Sequence, residues 1–481
     1  MPGELKALVA RGVAWSMAEK AGSTLLQLAV SILTLRLLMP EDFGVVAILT
    51  AFSAVALIVV DSGFSQTLIR KIEPQPNDYK SVFLFNITVS VLLYLLLVGL
   101  SPVAAWYYGK PIITSIAPVF FLQIPVNALC VIQNTIFTRQ FRFSLMSKVV
   151  FISSLISGAV AICMALAGCG VWSIVAQQLT AMIVRAGLMW WFSTWRPTAH
   201  YDSRALKEMA PYSLNLMATD LISTLYNKIP QLFLGKVYSI DALGYFDQAR
   251  KFKDQSVTSV VMSVQNVTFP ALSKIAGDEK KFAESYRQVI LVVAYVMFPA
   301  MIGLIAVSED LFAVLVGEKW MPTVPYLRVI CLTGLFYPIA MIAYNVLKVK
   351  SDGKIIVRLE IVKKIVMTVI FVVTIPHSVM AVVWGLVAMS LFELLLNFFA
   401  AMRFSTLSVS RVLRTLLPIV LVTAAMYGVV WGVGVLLPDN PPLRLVVQLL
   451  SGVASYALFS ALFRLAAFRE VLAMVRKQMK R

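Results

Sequence analysis

The sequence predicts an all-α integral membrane protein of about 14 transmembrane helices, with two pseudo-symmetric six-helix lobes around a central cavity and two further C-terminal helices. Three observations support this fold class. The chain is 59% hydrophobic, its mean hydropathy is +0.84, and similar residues recur 200 positions apart. Only 14% of the 481 residues are charged, which leaves no room for a sizeable soluble domain and excludes nucleic-acid binding, soluble metabolic and fibrous roles.

Runs of roughly 20 apolar residues between polar breaks give the number of helices, because a helix of that length crosses the hydrocarbon core. Breaks rich in glycine and proline, such as residues 108–111, 168–170 and 439–442, separate these runs. The predicted spans are centred near Leu26, Val55, Leu93, Pro125, Gly158, Met182, Ser223, Val257, Met297, Leu335, Met367, Gly385, Ala425 and Ala454.

The net charge of +18 indicates membrane orientation, because Lys and Arg concentrate in the cytoplasmic loops of membrane proteins. With the N-terminus inside, roughly 28 Lys and Arg residues fall on cytoplasmic segments and about 6 fall outside. A miscount of one helix would destroy this alternation. The sequence therefore predicts an even number of spans with both termini in the cytoplasm.

Matching residues at an offset of 200 predict two lobes of the same fold. Residues 17–18 match residues 217–218, residues 23–25 match residues 223–225, and Gly44 matches Gly244. Six spans per unit give both halves the same orientation, so the axis relating them runs along the membrane normal. Shared helical composition is the alternative explanation of these matches. The predicted boundaries are residues 1–200 for the N-lobe, 201–405 for the C-lobe, 406–466 for the last two spans and 467–481 for a basic cytoplasmic tail.

Ionisable residues within spans are candidates for function, since such a group costs several kcal/mol at bilayer depth unless it faces protein or water. Here they concentrate on spans 1, 2, 7 and 8. The alternative is that they only pair across helices, as Lys20 with Asp61 or Lys228 with Asp220. The candidate cavity cations are Lys20, Lys228, Arg250, Lys251 and Lys253, the candidate acids for ion coupling or pairing are Asp61 and Asp220, and the candidate polar lining residues are Gln27, Asn227 and Gln231.

The location of three of these bases, inside or outside the membrane, depends on where span 8 begins. If it begins near Leu243, Arg250, Lys251 and Lys253 lie within the membrane, whereas a start at Ser256 would put them in an external loop. The apolar run after Ser256 is short for a crossing, which favours the first alternative.

Charged residues of other spans are expected to be structural. Glu360, Lys363 and Lys364 are predicted to lie near the cytoplasmic start of span 11, where long side chains can reach the interface. Arg185 and Glu393 are isolated in the sequence and receive no role beyond helix pairing. No nucleotide-binding loop, zinc motif or nucleophile elbow is present, so the sequence predicts no enzyme, no cofactor and no metal site.

Segments in both halves of the chain resemble a known family. Residues 35–44 read LRLLMPEDFG, residues 61–66 read DSGFSQ and residues 68–70 read LIR, while residues 243–251 read LGYFDQARK and residues 269–273 read FPALS. They resemble bacterial polysaccharide-transport flippases of the multidrug/oligosaccharidyl-lipid/polysaccharide exporter superfamily. The resemblance extends over the whole chain in length, span number and repeat.

The resemblance implies alternating-access transport of an undecaprenyl-diphosphate-linked oligosaccharide to the periplasmic leaflet of the bacterial inner membrane. The product would serve exopolysaccharide, capsule, colanic acid or O-antigen synthesis, with a polymerase and export machinery as further partners. The five candidate cations match the family's cationic cavity, which would hold the diphosphate. Coupling to H⁺ or Na⁺ is left open.

Two other functions remain open from the sequence. An ion-coupled multidrug exporter has the same fold, but an exporter of organic cations needs an acidic, aromatic cavity, and this chain places more bases than acids there. A membrane polysaccharide polymerase would normally carry a large periplasmic loop, whereas the longest predicted external break is the short stretch 309–323.

Overall fold

A computed structural model describes residue 22 and residues 26–351, 353–404, 407–465 and 467–468, with the backbone alone at residues 258–267 and 269–271. These residues are almost entirely helical, and no strand occurs among them. Within the described ranges, ten helical segments are long and apolar enough to cross a membrane. The chain is therefore a multi-pass membrane protein, as its composition predicts.

The first half of the chain contains nine helices among the described residues. They are α1 (described over Leu26–Leu37), α2 (Pro40–Asp61), α3 (Phe64–Arg70), α4 (Pro76–Tyr108), α5 (Ile112–Phe121), α6 (Gln123–Arg139), α7 (Phe143–Leu166), α8 (Val171–Phe192) and α9 (Ser203–Val237).

Eight α-helices follow in the described part of the second half, with a π-helical turn and a 3₁₀ turn after α11. They are α10 (Ile240–Lys274), α11 (Glu279–Leu311), α12 (Thr323–Ile330), α13 (Thr333–Lys350), α14 (Gly353–Thr374), α15 (Val379–Met402), α16 (Val409–Leu436) and α17 (Pro441–Leu462).

The start and end of α2 show how local sequence sets the helix boundaries. Pro40 occupies the first turn, and the Asp42 carboxylate accepts a hydrogen bond from the Met39 amide at 3.0 Å. Ser62 and Gly63 then adopt left-handed backbone angles, with φ of 46° and 72°. These two residues break the helix before α3 begins.

Four of the predicted spans are not among the ten apolar segments, one because little of it is described and three because they are charged. Only a short apolar part of α1 is described. Helices α9, α10 and α14 have 35, 35 and 22 residues, which is enough to span a bilayer, but they carry many charged residues. The count of 14 stays a prediction, and the charged helices coincide with predicted spans 7, 8 and 11.

Tertiary contacts divide the chain into two compact units, Met1–Gly244 and Tyr245–Arg481. Helix α9 belongs to the first unit because it packs against α2, α3 and α4. The boundary between units thus follows α9, whereas the predicted lobe boundary at residue 200 precedes it. In the second unit, α16 and α17 pack on α11, where Arg444 pairs with Asp310 at 2.5 Å.

The order of helices repeats along the chain. Helix α2 begins at Pro40 and α10 begins 200 residues later. The short helix α5 leads into α6, and the short helix α12 leads into α13, with α6 and α13 starting 210 residues apart. The sequence repeat therefore corresponds to a repeat of structural elements.

Two glycines of the repeat allow a close backbone approach within the first unit. A Cβ atom on Gly44 would overlap the carbonyl oxygen of Ile240, and a Cβ atom on Gly244 would overlap the carbonyl oxygen of Pro40. The contact is reciprocal, because residues 40 and 44 correspond to residues 240 and 244. Any larger residue at either glycine would force the helix starts apart.

Replacing Gly244 by alanine should lower the melting temperature of the detergent-purified protein. The added methyl overlaps the Pro40 carbonyl, so backbone must move, at a cost of about 1–3 kcal/mol. Gly432→Ala in α16 is the matched control, since nothing lies within 4 Å of its added methyl. Equal melting temperatures for the two variants would contradict the close approach.

Candidate functional site

The structure describes every predicted site residue except Lys20, which lies outside the described residues. The first unit contains Gln27, Asp61, Asp220, Asn227, Lys228 and Gln231, and the second contains Arg250, Lys251 and Lys253. Each unit thus has its own set of polar side chains on helices predicted to span the membrane.

Helix α9 presents polar side chains of the first unit on one face. Asp220, Asn227 and Gln231 follow one another at intervals of seven and four residues, which places them on the same side of the helix. Asp220 and Asn227 are exposed, whereas Gln231 is 4% exposed. Pro230 has no amide to donate to the carbonyl one turn earlier, so the helix is locally weakened beside Lys228.

Asp61 lies at the end of α2, where the chain docks on α9. The Ser65 hydroxyl donates a hydrogen bond to the Asp61 carboxylate, and the Thr67 and Ser213 hydroxyls hydrogen-bond at 2.7 Å. Helices α2 and α9 pack against each other, so the two candidate acids, Asp61 and Asp220, lie on neighbouring helices of the first unit.

Gln27 makes a contact of the kind that pairs helices. Its side-chain amide donates to the Ser154 hydroxyl of α7 at 3.2 Å. This hydrogen bond uses one of the two amide donors of Gln27 to link α1 to α7 within the first unit.

The three bases of α10 lie inside a continuous helix that begins at Ile240, and not in a loop before residue 256. Each has a carboxylate of the same helix nearby. Lys251 Nζ lies 2.7 Å from the Asp247 carboxylate, Lys253 Nζ lies 2.5 Å from Asp254, and Arg250 Nε lies 3.6 Å from Asp254. Three bases and two acids leave one net positive charge, so this segment is less cationic than the bases alone suggest.

A charged cluster that the sequence did not predict joins three helices of the second unit. Lys363 of α14 is only 4% exposed, and its Nζ atom lies 2.8 Å from Glu360 and 3.3 Å from Glu393 of α15. The ammonium also lies over the Tyr344 ring of α13, 5.0 Å from the ring centroid. The buried ammonium is thus held by charges and an aromatic face.

The prediction that Lys363 anchors the helix at the interface was therefore wrong. Glu393 is not isolated, and its contact with Lys363 is the helix pairing that the sequence left as its role. Because α14 begins at Gly353, Lys363 lies ten residues, or about 15 Å, along the helix and near its middle. Snorkelling cannot bring its charge to water, so a carboxylate of the next helix neutralises it. Opposite charges in two consecutive predicted spans were the sequence signal for this pair.

The charged groups of the second unit extend from this cluster towards α10. Tyr337 of α13 lies within electrostatic range of both Glu393 and Asp254. The Lys348 ammonium lies 4.8 Å from the centroid of the Tyr344 ring. Among the described residues, no group of three His, Cys, Asp or Glu side chains is arranged to hold a metal ion.

Comparison with known sequences places the chain in a family. Residues 32–325 match the family described as polysaccharide biosynthesis protein. The chain belongs to this family. Relatives include the teichuronic acid biosynthesis protein TuaB of Bacillus subtilis, 24% identical over 83% of this chain and 84% of the relative. The succinoglycan biosynthesis transport protein ExoT of Rhizobium meliloti is 23% identical over 69% of this chain and 67% of the relative.

Solved structures confirm the predicted fold class. The lipid II flippase MurJ in an inward closed conformation matches with a TM-score of 0.72, covering 96% of this chain and all of that chain at 16% identity. An inward-facing multidrug resistance transporter of the MATE family matches with a TM-score of 0.61, covering 80% of this chain and 95% of that chain at 17% identity. The resemblance read from the sequence is confirmed at the level of family and fold.

Lys363→Gln should destabilise the protein strongly, because it leaves Glu360 and Glu393 without their cation. Removing one partner of a buried ion pair typically costs about 3–5 kcal/mol. Lys348→Gln is the control, since Lys348 is exposed and contacts the same Tyr344 ring. Thermal unfolding of both purified variants measures the difference, and an equal loss would show that the Lys363 ion pairs add no stability.

Proposed function

We propose that the protein is a flippase for an undecaprenyl-diphosphate-linked oligosaccharide, moving it from the cytoplasmic to the periplasmic leaflet of the bacterial inner membrane. The observation that carries this proposal is membership of the polysaccharide biosynthesis family in a chain that crosses the membrane many times. The relative from Rhizobium meliloti is named as a transport protein, which supports a transport function.

The physical need for such a protein follows from the chemistry of the ligand. Moving one sugar hydroxyl into hydrocarbon costs on the order of 4–8 kcal/mol, so an oligosaccharide does not cross unaided. The prenyl tail can remain in lipid while the sugars follow a hydrated path. With the inside negative, each negative charge carried outward gains about 2.3 kcal/mol per 100 mV. The membrane potential therefore favours outward movement of a diphosphate.

The proposed ligand contacts divide by chemistry. Lys20, Lys228 and the bases of α10 would bind the diphosphate through charge-assisted hydrogen bonds. On α10 the diphosphate would have to compete with Asp247 and Asp254 for these bases. The side-chain amides of Gln27, Asn227 and Gln231 would bind sugar hydroxyls, and Asp61 with Asp220 would hold a proton or Na⁺ during the return step.

The proposed topology has 14 spans and both termini in the cytoplasm. Ten segments of the described residues are apolar, and the remaining four spans would be α1, α9, α10 and α14. Helices α1, α9 and α10 carry most of the proposed contacts. Alternating access would then expose the polar path first to one side and then to the other. A polymerase and export machinery would consume the flipped unit outside.

Deletion in the native host, followed by lipid extraction, tests the function directly. We expect a prenyl-diphosphate oligosaccharide to accumulate on the inner leaflet and polymer export to fall, with both restored by the gene on a plasmid. Normal polymer together with altered drug sensitivity would contradict the proposal and favour a multidrug exporter.

The double substitution Lys228→Gln with Arg250→Gln tests the proposed cationic contacts. We expect polymer export in the deletion strain to fall at least about tenfold, because two charge-assisted contacts are removed. The control is Lys236→Gln with Lys274→Gln, which removes two bases from the last turns of the same helices. Membrane levels of both proteins are compared by immunoblot. Unchanged export by the first variant would remove these two residues from the site.

A further inference from the structure

Arg185 of the first unit lacks a hydrogen-bond partner for a buried donor and lacks an acidic partner among the described residues. Its Nε atom is buried without a hydrogen-bond partner, and it forms no ion pair with any described residue. The side-chain oxygen of Asn134 in α6 is likewise buried and unpartnered. Helix α8 packs against α6, and Ala186, next to Arg185, lies in one buried cluster with Cys130, one turn from Asn134, so Arg185 lies beside this part of α6.

The predicted position of the guanidinium group within the membrane makes an uncompensated charge costly in free energy. Arg185 lies seven residues before the end of α8 and Asn134 lies five residues before the end of α6, or about 10 Å and 8 Å along the helices. Both helix ends are predicted to be cytoplasmic. A charge at such a depth costs several kcal/mol unless an opposite charge or water meets it.

Arg185 also points away from the lipid-facing side of its helix. Ile183 and Trp191 of α8 are 52% and 82% exposed, as expected of residues facing hydrocarbon. Arg185 follows Ile183 by two residues, which is about 200° around the helix. Hydrocarbon therefore does not surround the guanidinium group, and the Arg185 side chain is half-buried, so part of it remains accessible to a ligand.

The structural repeat shows how the second unit neutralises a charge at the corresponding position. Arg185 and Glu393 are each fourteen residues after the first residue of their helices, α8 and α15. The burial pattern supports the same register. Exposed Ile183 and Trp191 correspond to exposed Leu391 and Phe399, and buried Met189 corresponds to buried Asn397.

The partner helix differs between the two units. In the second unit, Lys363 lies ten residues after the start of α14 and pairs with Glu393 at 3.3 Å. The corresponding residue of α7 is Ser153, whose hydroxyl donates to the Val149 carbonyl of its own helix at 2.7 Å. The second unit thus contains its own counter-ion, whereas the same place in the first unit has a cation and no acid.

We propose that Arg185 binds the phosphate group of a lipid, with the buried Asn134 oxygen accepting a hydroxyl of the same ligand. A guanidinium group suits this role because its planar donors make two parallel hydrogen bonds to phosphate. The identification of this lipid as the prenyl-diphosphate substrate rests on the proposed function. A membrane phospholipid has the same chemistry and is separated from the substrate by experiment.

Binding to the purified full-length protein in neutral detergent tests the proposal. Undecaprenyl diphosphate, undecaprenol and phosphatidylglycerol are titrated separately and followed by thermophoresis. We expect Arg185→Gln to weaken undecaprenyl diphosphate binding about tenfold and Arg185→Lys to weaken it less, because lysine keeps the charge but loses the paired donors. Undecaprenol binding should not change. The control Lys148→Gln removes an exposed base from α7 and should change neither affinity.

A second variant keeps the test decisive if Arg185→Gln folds poorly. Ser153→Glu places an acid where the second unit has Lys363, so it should neutralise Arg185, raise the melting temperature and weaken undecaprenyl diphosphate binding. Ser153→Gln has the same size without the charge and should bind like the wild type. A purely structural role for Arg185 predicts higher stability in Ser153→Glu with unchanged binding, which would overturn the proposal.

The titrations with the two phosphate-bearing lipids show which lipid the site binds. Loss of undecaprenyl diphosphate binding alone assigns the site to the substrate, and loss of phosphatidylglycerol binding alone assigns it to a membrane phospholipid. Affinities for both lipids that do not depend on Arg185 would refute the site. Normal polymer export in the deletion strain together with Arg185-dependent binding would refute the proposed function and leave the site intact.

Discussion

The cost of placing charge at bilayer depth is the constraint on which the described structure depends. A charged side chain is tolerated there only when another charge, an aromatic face or water compensates it. Helix α10 meets this requirement within itself, because Asp247 and Asp254 lie beside its three bases. Helix α14 meets it through its neighbour α15, where Glu393 approaches Lys363. The pairing of helices in the second unit is therefore electrostatic as well as apolar.

The sequence predicted much of the fold because its main signals are local. Apolar runs and glycine- or proline-rich breaks located the helices, and the 200-residue repeat reappears in the starts of α2 and α10. Pairs spaced four residues apart, such as Asp247 with Lys251, are also readable from a helical sequence. The number of spans is harder to predict, because α9, α10 and α14 carry many charged residues and so lack the continuous apolar stretch that marks the other spans.

The rest could not be predicted because it depends on which helices pack together. Lys363 looked like an interface anchor, since the sequence alone did not show that α15 brings Glu393 to it. The contact of Gly44 and Gly244 with opposite carbonyl groups likewise requires the three-dimensional approach of two helix starts. Arg185 looked ordinary for the same reason. Its significance comes from the absence of an acid among the described residues around it.

The repeat turns these separate observations into a comparison between two versions of one arrangement. In the three-helix group α13, α14 and α15, Lys363 pairs with Glu360 and Glu393, so this cation has no electrostatic need for a ligand. The group α6, α7 and α8 keeps the same helix register but has Ser153 and Arg185 in place of the ion pair. The residues at two corresponding positions thus distinguish an ion pair in the second unit from a cation without an acid partner among the described residues of the first. On the proposal made for Arg185, one unit keeps the arrangement for stability and the other uses it for binding.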